Sequence, residues 1–215
     1  MTDTLLSPDF NRAGVNNSPR LIGLRGYATA GKDTVGEIIT RLYGHHRVSF
    51  ADALKQFARS IDPIVFFQDK DAVRVSEWVD GVGDTEAKTH PEYRRLLQQV
   101  GTRAREFFGA DVWVSTAFKD LSLFQNSYVF TDVRFKNEAQ AIVDNLGKVY
   151  DVRRPGVGPV SDHISEHDLD DWPFDGIIHN DGTLVDLEGE VQRVLGEFGS
   201  RNVLLHASRE ILTVV

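Results

Sequence analysis

The stretch from Leu21 to Val35 constrains the fold of this chain more than any other. Four nearly apolar residues run into a glycine-bounded loop, and an apolar pattern with helical spacing follows. Gly26, Gly31 and Lys32 have the GxxxxGK spacing, in which backbone N–H groups wrap phosphate oxygens and the lysine bridges the outer phosphates. Because the motif has the strand before it and the helix after it that it requires, the sequence predicts a phosphate-binding loop.

The residue after Lys32 departs from the usual form of this loop. Ser or Thr normally follows the lysine and offers a hydroxyl to Mg²⁺, whereas here Asp33 follows and Thr34 comes next. Taken alone, Asp33 therefore predicts the loss of one Mg²⁺ ligand, with the hydroxyl of Thr34 one position later.

Length and composition fit one soluble globular domain. The chain has 215 residues, 41% of them hydrophobic and 26% charged, and no apolar run approaches the ~20 residues of a membrane span. We expect a flexible polar arm over residues 1–19, a domain over 20–199 and a tail of unassigned role over 200–215. Because cysteine is absent, a reducing cytoplasm is the simpler location, and the net charge of −8 argues against nucleic acid polymers and anionic membranes as partners.

Two acidic residues follow predicted strands, at the edge where an open α/β sheet binds ligands. Asp52 comes after a short apolar run and either faces an acceptor substrate together with Lys55 or only caps the next helix. Asp132 closes the strongest strand pattern after the first, residues 128–131. It is expected to hold Mg²⁺ or its water, the alternative being a local cap or salt bridge. Arg134 is placed to reach a transferring phosphate.

The segment between about residues 62 and 110 is expected to bind the acceptor. Residues 63–90 lack clear periodicity and contain a loop signal, which predicts a mobile flap. A strong helix follows, with an apolar stripe interleaved with arginines. Arg103 and Arg105 are candidates for gripping phosphate, the alternative being a solvated face. Trp113 beyond this helix fits the core as well as it fits a base-stacking surface.

A long irregular segment, residues 153–174, is predicted to be a lid. Loops of this length are uncommon in compact domains unless they work as lids or binding elements. Arg153 and Arg154 at its start would then close over the phosphates and keep water away. Residues 163–167 also match the HxxEH zinc pattern of inverted metallopeptidases, but that pattern needs a buried helix and a third ligand further on, so we do not assign zinc.

Alternating strands and helices predict a three-layer α/β fold, with a mostly parallel sheet flanked by helices and with the lid segment added. Further motifs follow the loop motif GYATAGKDTV in a fixed order: VSFADALK, LLQQVGTRARE with DVWV, TDVRFKNEA, RRPG with HISE, and IIHNDGTL. These motifs make the chain similar to the phage deoxynucleoside monophosphate kinases, a branch of the P-loop nucleotide kinase superfamily. The resemblance extends from about residue 21 to about residue 198.

The resemblance implies transfer of the γ-phosphoryl group of ATP to a deoxynucleoside 5′-monophosphate, with Mg²⁺. It implies catalytic roles for Lys32, Asp33, Arg134, Arg153 and Arg154. ATP is expected against Gly26, Ala28, Ala30, Gly31, Lys32, Asp33 and Thr34, with its adenine beside Asn180, Gly182 and Thr183. The acceptor is expected among Asp52, Lys55, Arg103, Arg105, Trp113, Asp132 and Arg134. The metal is expected at Asp33, Thr34 and Asp132, with Asp33 in the Mg²⁺ shell directly or through water.

Two alternatives stay open. A P-loop kinase with a hydroxyl acceptor, similar to dephospho-coenzyme A kinases, must remove a proton, and Asp52 is placed to be its base. A regulator that binds nucleotide without turnover is the other alternative, although the intact Lys32, Asp132 and Arg134 argue against it. The sequence leaves open which base is accepted, whether ribonucleotides are excluded and whether the protein is a homodimer.

Overall fold

The computed structural model of the chain describes residues 18–66, 72–160, 162 and 164–196. Most of the predicted N-terminal arm and the whole of the predicted tail lie outside these residues. The strands are β1 (Leu21–Arg25), β2 (His46–Val48), β3 (Ile64–Val65), β4 (Val73–Arg74), β5 (Tyr128–Phe130), β6 (Lys148–Arg153) and β7 (Gly176–His179). The helices are α1 (Lys32–Tyr43), α2 (Phe50–Ile61), α3 (Val75–Ala87), α4 (Pro91–Phe108), α5 (Val112–Lys119), α6 (Lys136–Asp144), α7 (Ile164–His167) and α8, which covers residues 184–196.

Five parallel strands form the central sheet, in the order β2–β5–β1–β6–β7. All five residues of β1 are buried, as an apolar strand in the middle of a parallel sheet should be. Alternate side chains of β1 enter different cores: Ile22 and Leu24 pack with residues of α1 and α8, whereas Leu21 packs with residues of α6. The predicted three-layer α/β fold is therefore confirmed, and the carboxyl ends of the strands bring the loop after β1 and the residues after β5, β6 and β7 to one edge.

The region between α2 and α4 differs from its prediction. Residues 72–90 are not a flap, because β4 pairs with β3 in an antiparallel ladder and α3 follows directly. Val75, Val79 and Tyr93 are buried in a small core of their own, which fixes α3 against α4. The loop signal in the sequence marks instead a break inside α3 at Gly83, where φ is 81° and ψ is 155°.

Two helix starts also differ from their predictions. The second strand stops at Val48, and Ser49 caps α2 by accepting a hydrogen bond from the N–H of Ala51, so Asp52 lies in the first turn of a helix. Asn137 is of a residue type that predicts the cap of the helix after β5, but α6 begins at Lys136, two residues earlier than that cap would allow, with Phe135 in the N-cap position. In the part of the chain that is described, no helix combines the length and the apolar character needed to cross a bilayer.

Candidate active site

The loop between β1 and α1 is held tightly at both of its glycines. Gly26 has a φ of +155°, and a Cβ there would lie 2.5 Å from the carbonyl oxygen of Val152 in β6. Gly31 has a φ of +101°, and a Cβ there would lie 2.4 Å from Nδ2 of Asn180. The same Nδ2 donates a hydrogen bond to the carbonyl of Ala30, 2.9 Å away. Only glycine fits these two positions, and the residue after β7 therefore fixes the end of the loop.

Lys32 closes the loop and is the centre of the site. Its Nζ donates to the carbonyl oxygens of Gly26, at 2.7 Å, and Tyr27, at 2.9 Å. Burial lowers the pKa of the Lys32 ammonium, and the nearby guanidinium of Arg134 lowers it further. Three carboxylates act in the opposite direction on this pKa and so lie near the same ammonium: Asp33, Glu166 and Asp132. Charged groups from the loop, from the turn after β5 and from the lid thus meet at Lys32.

Asp33 is exposed and lies in the first turn of α1. Its Oδ1 accepts a hydrogen bond from Arg47 of β2 at 2.7 Å, so its carboxylate already has a cationic partner. Thr34, the next residue, is half-buried at the same helix start. A role for either side chain in binding Mg²⁺ stays a prediction.

Asp132 lies two residues beyond β5 and caps α2. Its Oδ1 accepts from the N–H of Phe50 at 2.9 Å, and its Oδ2 accepts from the N–H of Ala51 at 3.0 Å and from the hydroxyl of Ser49 at 2.6 Å. The local cap that the sequence left as an alternative is therefore present. Because a carboxylate has about four acceptor sites, these three contacts still leave room for one more donor or ligand.

The described residues contain no cluster of three or more His, Cys, Asp or Glu side chains that would form a metal site by itself. Mg²⁺ is usually bound through one or two carboxylates together with substrate phosphates. Asp132 and the start of α1, both near Lys32, fit a magnesium ion bound in that way. In the HxxEH segment, Glu166 pairs with Arg134 and His167 pairs with Asp170, while His163 lies outside the described residues.

Asp52 and Lys55 form an ion pair one turn into α2, with 2.7 Å between Nζ and Oδ1. Burial acts to lower the pKa of Lys55, but the hydrogen bond and the charge of Asp52 outweigh it and raise this pKa. Lys88, at the end of α3, lies beside them. The pKa of Lys88 is lowered by burial and by the Lys55 ammonium. Sequence reasoning missed Lys88, because a segment interpreted as a flap gave no reason to place its end against α2.

The two candidate arginines of α4 point in different directions. Arg105 is turned inward, where one of its guanidinium nitrogens lies 3.4 Å from Oε1 of Glu138 and its Cζ lies 4.2 Å from the ring centre of Phe135. Arg103 has a side chain that is 80% exposed and pairs with Glu106 on the same helix. Only Arg105 is brought toward the residues that follow β5.

Arg134 and Trp113, two further candidates for acceptor binding, lie in different environments. The guanidinium of Arg134 lies 3.1 Å from Oε1 of Glu166 in the lid, and that glutamate side chain is only 8% exposed. Trp113 is buried, and its indole N–H donates to the carbonyl of Gly101 at 3.1 Å. Of the two alternatives for Trp113, this contact is the one expected of a core residue that joins α5 to α4.

The predicted lid, residues 153–174, begins with a buried ion-pair network at the end of β6. Asp151 is fully buried and accepts from Arg25 at 3.1 Å and from Nε of Arg153 at 2.6 Å. Arg25 also pairs with Asp170 of the lid. Above this network is a cavity of about 300 Å³ between the loop and the lid, and Arg154 is one of its lining residues. Asp151 therefore orients one of the two predicted lid arginines.

The segment after β7 places only part of its predicted set at the loop. Asn180 contacts the loop, as described above. Thr183 instead exchanges hydrogen bonds with Asp186 at the start of α8, and a Cβ on Gly182 would meet that same aspartate at 2.7 Å. Contacts of these three residues with adenine stay a prediction.

The parallel sheet, the glycine loop at the end of its central strand and Lys32 at the end of that loop are features of the P-loop fold class. The chain belongs to the deoxynucleotide monophosphate kinase family, because the sequence model of that family matches residues 68–191, more than half of the 215 residues.

Two individual proteins can be compared with this chain. A protein of Acanthamoeba polyphaga mimivirus, provisionally named a deoxynucleotide monophosphate kinase, is 27% identical over an alignment 186 residues long, which covers 80% of this chain and 93% of the viral one. The solved structure of dephospho-CoA kinase from Campylobacter jejuni aligns with 83% of this chain and 97% of its own, at 15% identity and a TM-score of 0.45.

Proposed function

We propose that this protein transfers the γ-phosphoryl group of ATP to a deoxynucleoside 5′-monophosphate and releases ADP and the deoxynucleoside diphosphate. The observation that carries the proposal is the meeting of Lys32, at the end of the loop, with Arg134, from the turn after β5. These cations come from different elements and lie where two phosphate-bearing substrates would have to approach each other. Membership of the deoxynucleotide monophosphate kinase family supports the same acceptor class.

The chemistry of a monophosphate acceptor matches the side chains at this site. The second pKa of a phosphate monoester is about 6, so the attacking oxygen is mostly ionised at neutral pH and needs no general base. What the protein must supply is in-line alignment and positive charge that offsets the repulsion between two polyanions. In our proposal Arg105 and Arg134 bind the acceptor phosphate, and Lys32 binds the outer phosphates of ATP.

The donor side is proposed to use the backbone of the loop. Its N–H groups and the N-terminus of α1 would bind phosphate oxygens of ATP. Asp33, Thr34 and Asp132 would hold the Mg²⁺ that accompanies ATP, and this ion would offset charge on the outer phosphates. Arg153 and Arg154 would close over the phosphates from the lid and limit the entry of water.

A coupled assay of ADP release tests this function. Purified protein is mixed with ATP and Mg²⁺ and with dAMP, dCMP, dGMP, dTMP or the corresponding ribonucleotides. We expect at least one deoxynucleoside monophosphate to stimulate ADP release, and the Lys32→Ala variant to lose that stimulation. If none of the monophosphates stimulates release by the wild type, the proposed function is wrong.

A substitution of Asp52 distinguishes the proposed monophosphate acceptor from a hydroxyl acceptor. The carboxylate is about half exposed at the start of α2 and so is accessible to an acceptor. With a monophosphate acceptor, Asp52→Asn should raise the KM for the acceptor and change kcat little, since no proton has to be removed. A collapse of kcat with unchanged acceptor KM would instead favour the hydroxyl acceptor, with Asp52 as its base.

A further inference from the structure

Glu138 is a buried carboxylate that lies between two of the proposed acceptor-binding arginines. It is the third residue of α6, and its side chain is only 4% exposed. Burying a carboxylate is unfavourable unless hydrogen bonds and opposite charge compensate for lost water. The chain keeps this ionisable group in its interior, where the negative charge of Asp132 also raises its pKa.

The contacts of Glu138 go beyond those of a helix cap. Its Oε2 accepts from the N–H of Arg134 at 2.8 Å and from the N–H of Phe135 at 3.1 Å. A glutamate at this helix position commonly bonds to the backbone of the cap residue, and it can do so at the protein surface. Glu138 is buried, however, and its Oε1 also faces the guanidinium of Arg105 on α4, 33 residues away in sequence.

The same carboxylate therefore restrains two arginines in two ways. Arg105 is held through its guanidinium, which also lies over the ring of Phe135. Arg134 is held through its backbone, which leaves its guanidinium directed toward Glu166 and near Lys32. If Glu138 lost its charge, the side chain of one arginine and the main chain of the other would both be less restrained.

We propose that Glu138 is a positioning residue, which orients Arg105 and Arg134 as one unit to bind the phosphate of the acceptor monophosphate. This inference rests on the proposed function and adds to it a residue that does not itself touch the substrate. Preorganised guanidinium groups bind a phosphate more tightly, because less conformational entropy is lost when the complex forms. Glu138 should therefore affect the acceptor far more than it affects ATP.

Titration of Glu138 gives a signature that a purely structural role would not. Burial raises the pKa of Glu138 to about 7, and the charge of Asp132 adds to this rise, while the two N–H donors and Arg105 oppose it. The charged groups that face it are Arg105 from α4 and Asp132 from the end of β5. As the pH falls below 7, the carboxyl becomes protonated and its hydrogen bond to Arg105 weakens.

The test compares Glu138→Gln with the wild type and with Asp144→Asn, using the monophosphate that gives the fastest ADP release. Asp144 is a matched control, because it is an exposed carboxylate at the end of the same helix and contacts Gln140. We expect E138Q to raise the KM for the monophosphate about tenfold at pH 8, as loss of a charged hydrogen bond does, with less than a twofold change in the KM for ATP. D144N should match the wild type.

The pH dependence completes the test. The ratio of acceptor KM in E138Q to that in the wild type should fall toward one between pH 8 and pH 6, and the titration of the substrate cancels from this ratio. An unchanged acceptor KM in E138Q, an equal rise in both KM values or a ratio independent of pH would each overturn the inference. If the wild type turns over no monophosphate, the proposed function and this inference both fail; if the wild type is active and E138Q behaves like D144N, only the inference fails.

Discussion

The two sides of the site are built differently. On the proposed donor side, one continuous loop over residues 26–31 carries its own glycines and is closed by Lys32, and its shape is set largely by the backbone. On the proposed acceptor side, two arginines from separate elements are each paired with a carboxylate far away in sequence. Arg105 of α4 pairs with Glu138, and Arg134 pairs with Glu166 of the lid.

The two sides therefore differ in the origin of their phosphate-binding groups, which come from one short segment on the donor side and from several distant segments on the acceptor side. A backbone loop can bind phosphate in any protein that forms the same strand, turn and helix, because N–H groups are common to all residues. An assembled set of arginines depends on buried carboxylates that orient it, so changes far from the substrate should alter acceptor binding. The predictions below test this contrast.

The largest effect is expected for Lys32→Ala on the donor side. Loss of the ammonium removes a charge directed at the outer phosphates, so kcat/KM should fall by about 10²–10³, as it does when a preorganised donor is removed from an active site. Steady-state ADP release measures this change, and Lys119→Ala, at the exposed end of α5, is the control. A loss of less than about tenfold would mean that the loop backbone binds the phosphates without its lysine.

The next effect should come from Asp151→Asn, which breaks the buried network under the lid. Arg25 is 11% exposed and would lose the buried anion that compensates its charge, so the free energy of unfolding should fall by about 3 kcal/mol. Urea unfolding measures the change. Asp171→Asn is the control, because its partner Lys136 is on the surface, and its stability should stay close to that of the wild type. Equal stabilities of both variants would contradict the importance of the network.

A third prediction concerns the stability of the acceptor side as a function of pH. The pKa of Glu138 in the folded protein is about 7, well above its ordinary value near 4.5, so the folded state binds this proton more tightly than the unfolded state. The stabilisation that comes from protonated Glu138 is fully present below pH 4.5, the ordinary pKa of the group, and is lost as the pH rises through 7. Relative to E138Q, the wild type should lose about 2 to 3 kcal/mol between pH 5 and pH 8. Denaturant titrations at each pH measure this difference, and a constant difference would show that the carboxyl is not proton-linked to folding.

The smallest effect is expected at Asp33, where the donor loop contacts β2. If its carboxylate belongs to the Mg²⁺ shell, Asp33→Ala should raise the Mg²⁺ concentration for half-maximal rate by about fivefold and lower kcat. Arg47→Ala removes the partner of Asp33 and leaves the carboxylate in place, so its Mg²⁺ requirement should stay close to that of the wild type. Identical Mg²⁺ curves for both variants would show that Asp33 only serves the ion pair with Arg47.

Much of the fold followed from local patterns. The loop motif, the parallel strands and the lid arginines were each marked by a few neighbouring residues, and the described structure has the predicted sheet and layers. The error over residues 63–90 arose because α3 carries glycines, one of them at a break, and so lacks a continuous apolar stripe. Its packing against α4 depends on tertiary contacts that no short window of sequence contains.

The acceptor side was harder to predict from the sequence, because it too depends on tertiary contacts between distant residues. The arginines were found by residue type, but the choice between Arg103 and Arg105 depended on which one meets a carboxylate 33 positions away. Sequence reasoning missed Glu138, because a glutamate near a helix start is ordinarily a capping residue rather than a partner for a distant arginine. The burial that makes it more than a cap is a property of the assembled fold.

The contact between Arg134 and Glu166 has a consequence for how tightly any anion must bind in order to occupy the site. A lid carboxylate at 3.1 Å acts as a tethered competitor, which is always present at high effective concentration beside the guanidinium. Every incoming anion must displace it, so all apparent affinities for this guanidinium are reduced by the same factor. Small anions such as chloride or inorganic phosphate have few other contacts with which to overcome that reduction, whereas a nucleotide has several. If Arg134 binds the acceptor phosphate as proposed, this ion pair would keep weakly bound small anions out of the site, and binding of the acceptor would release Glu166 from Arg134.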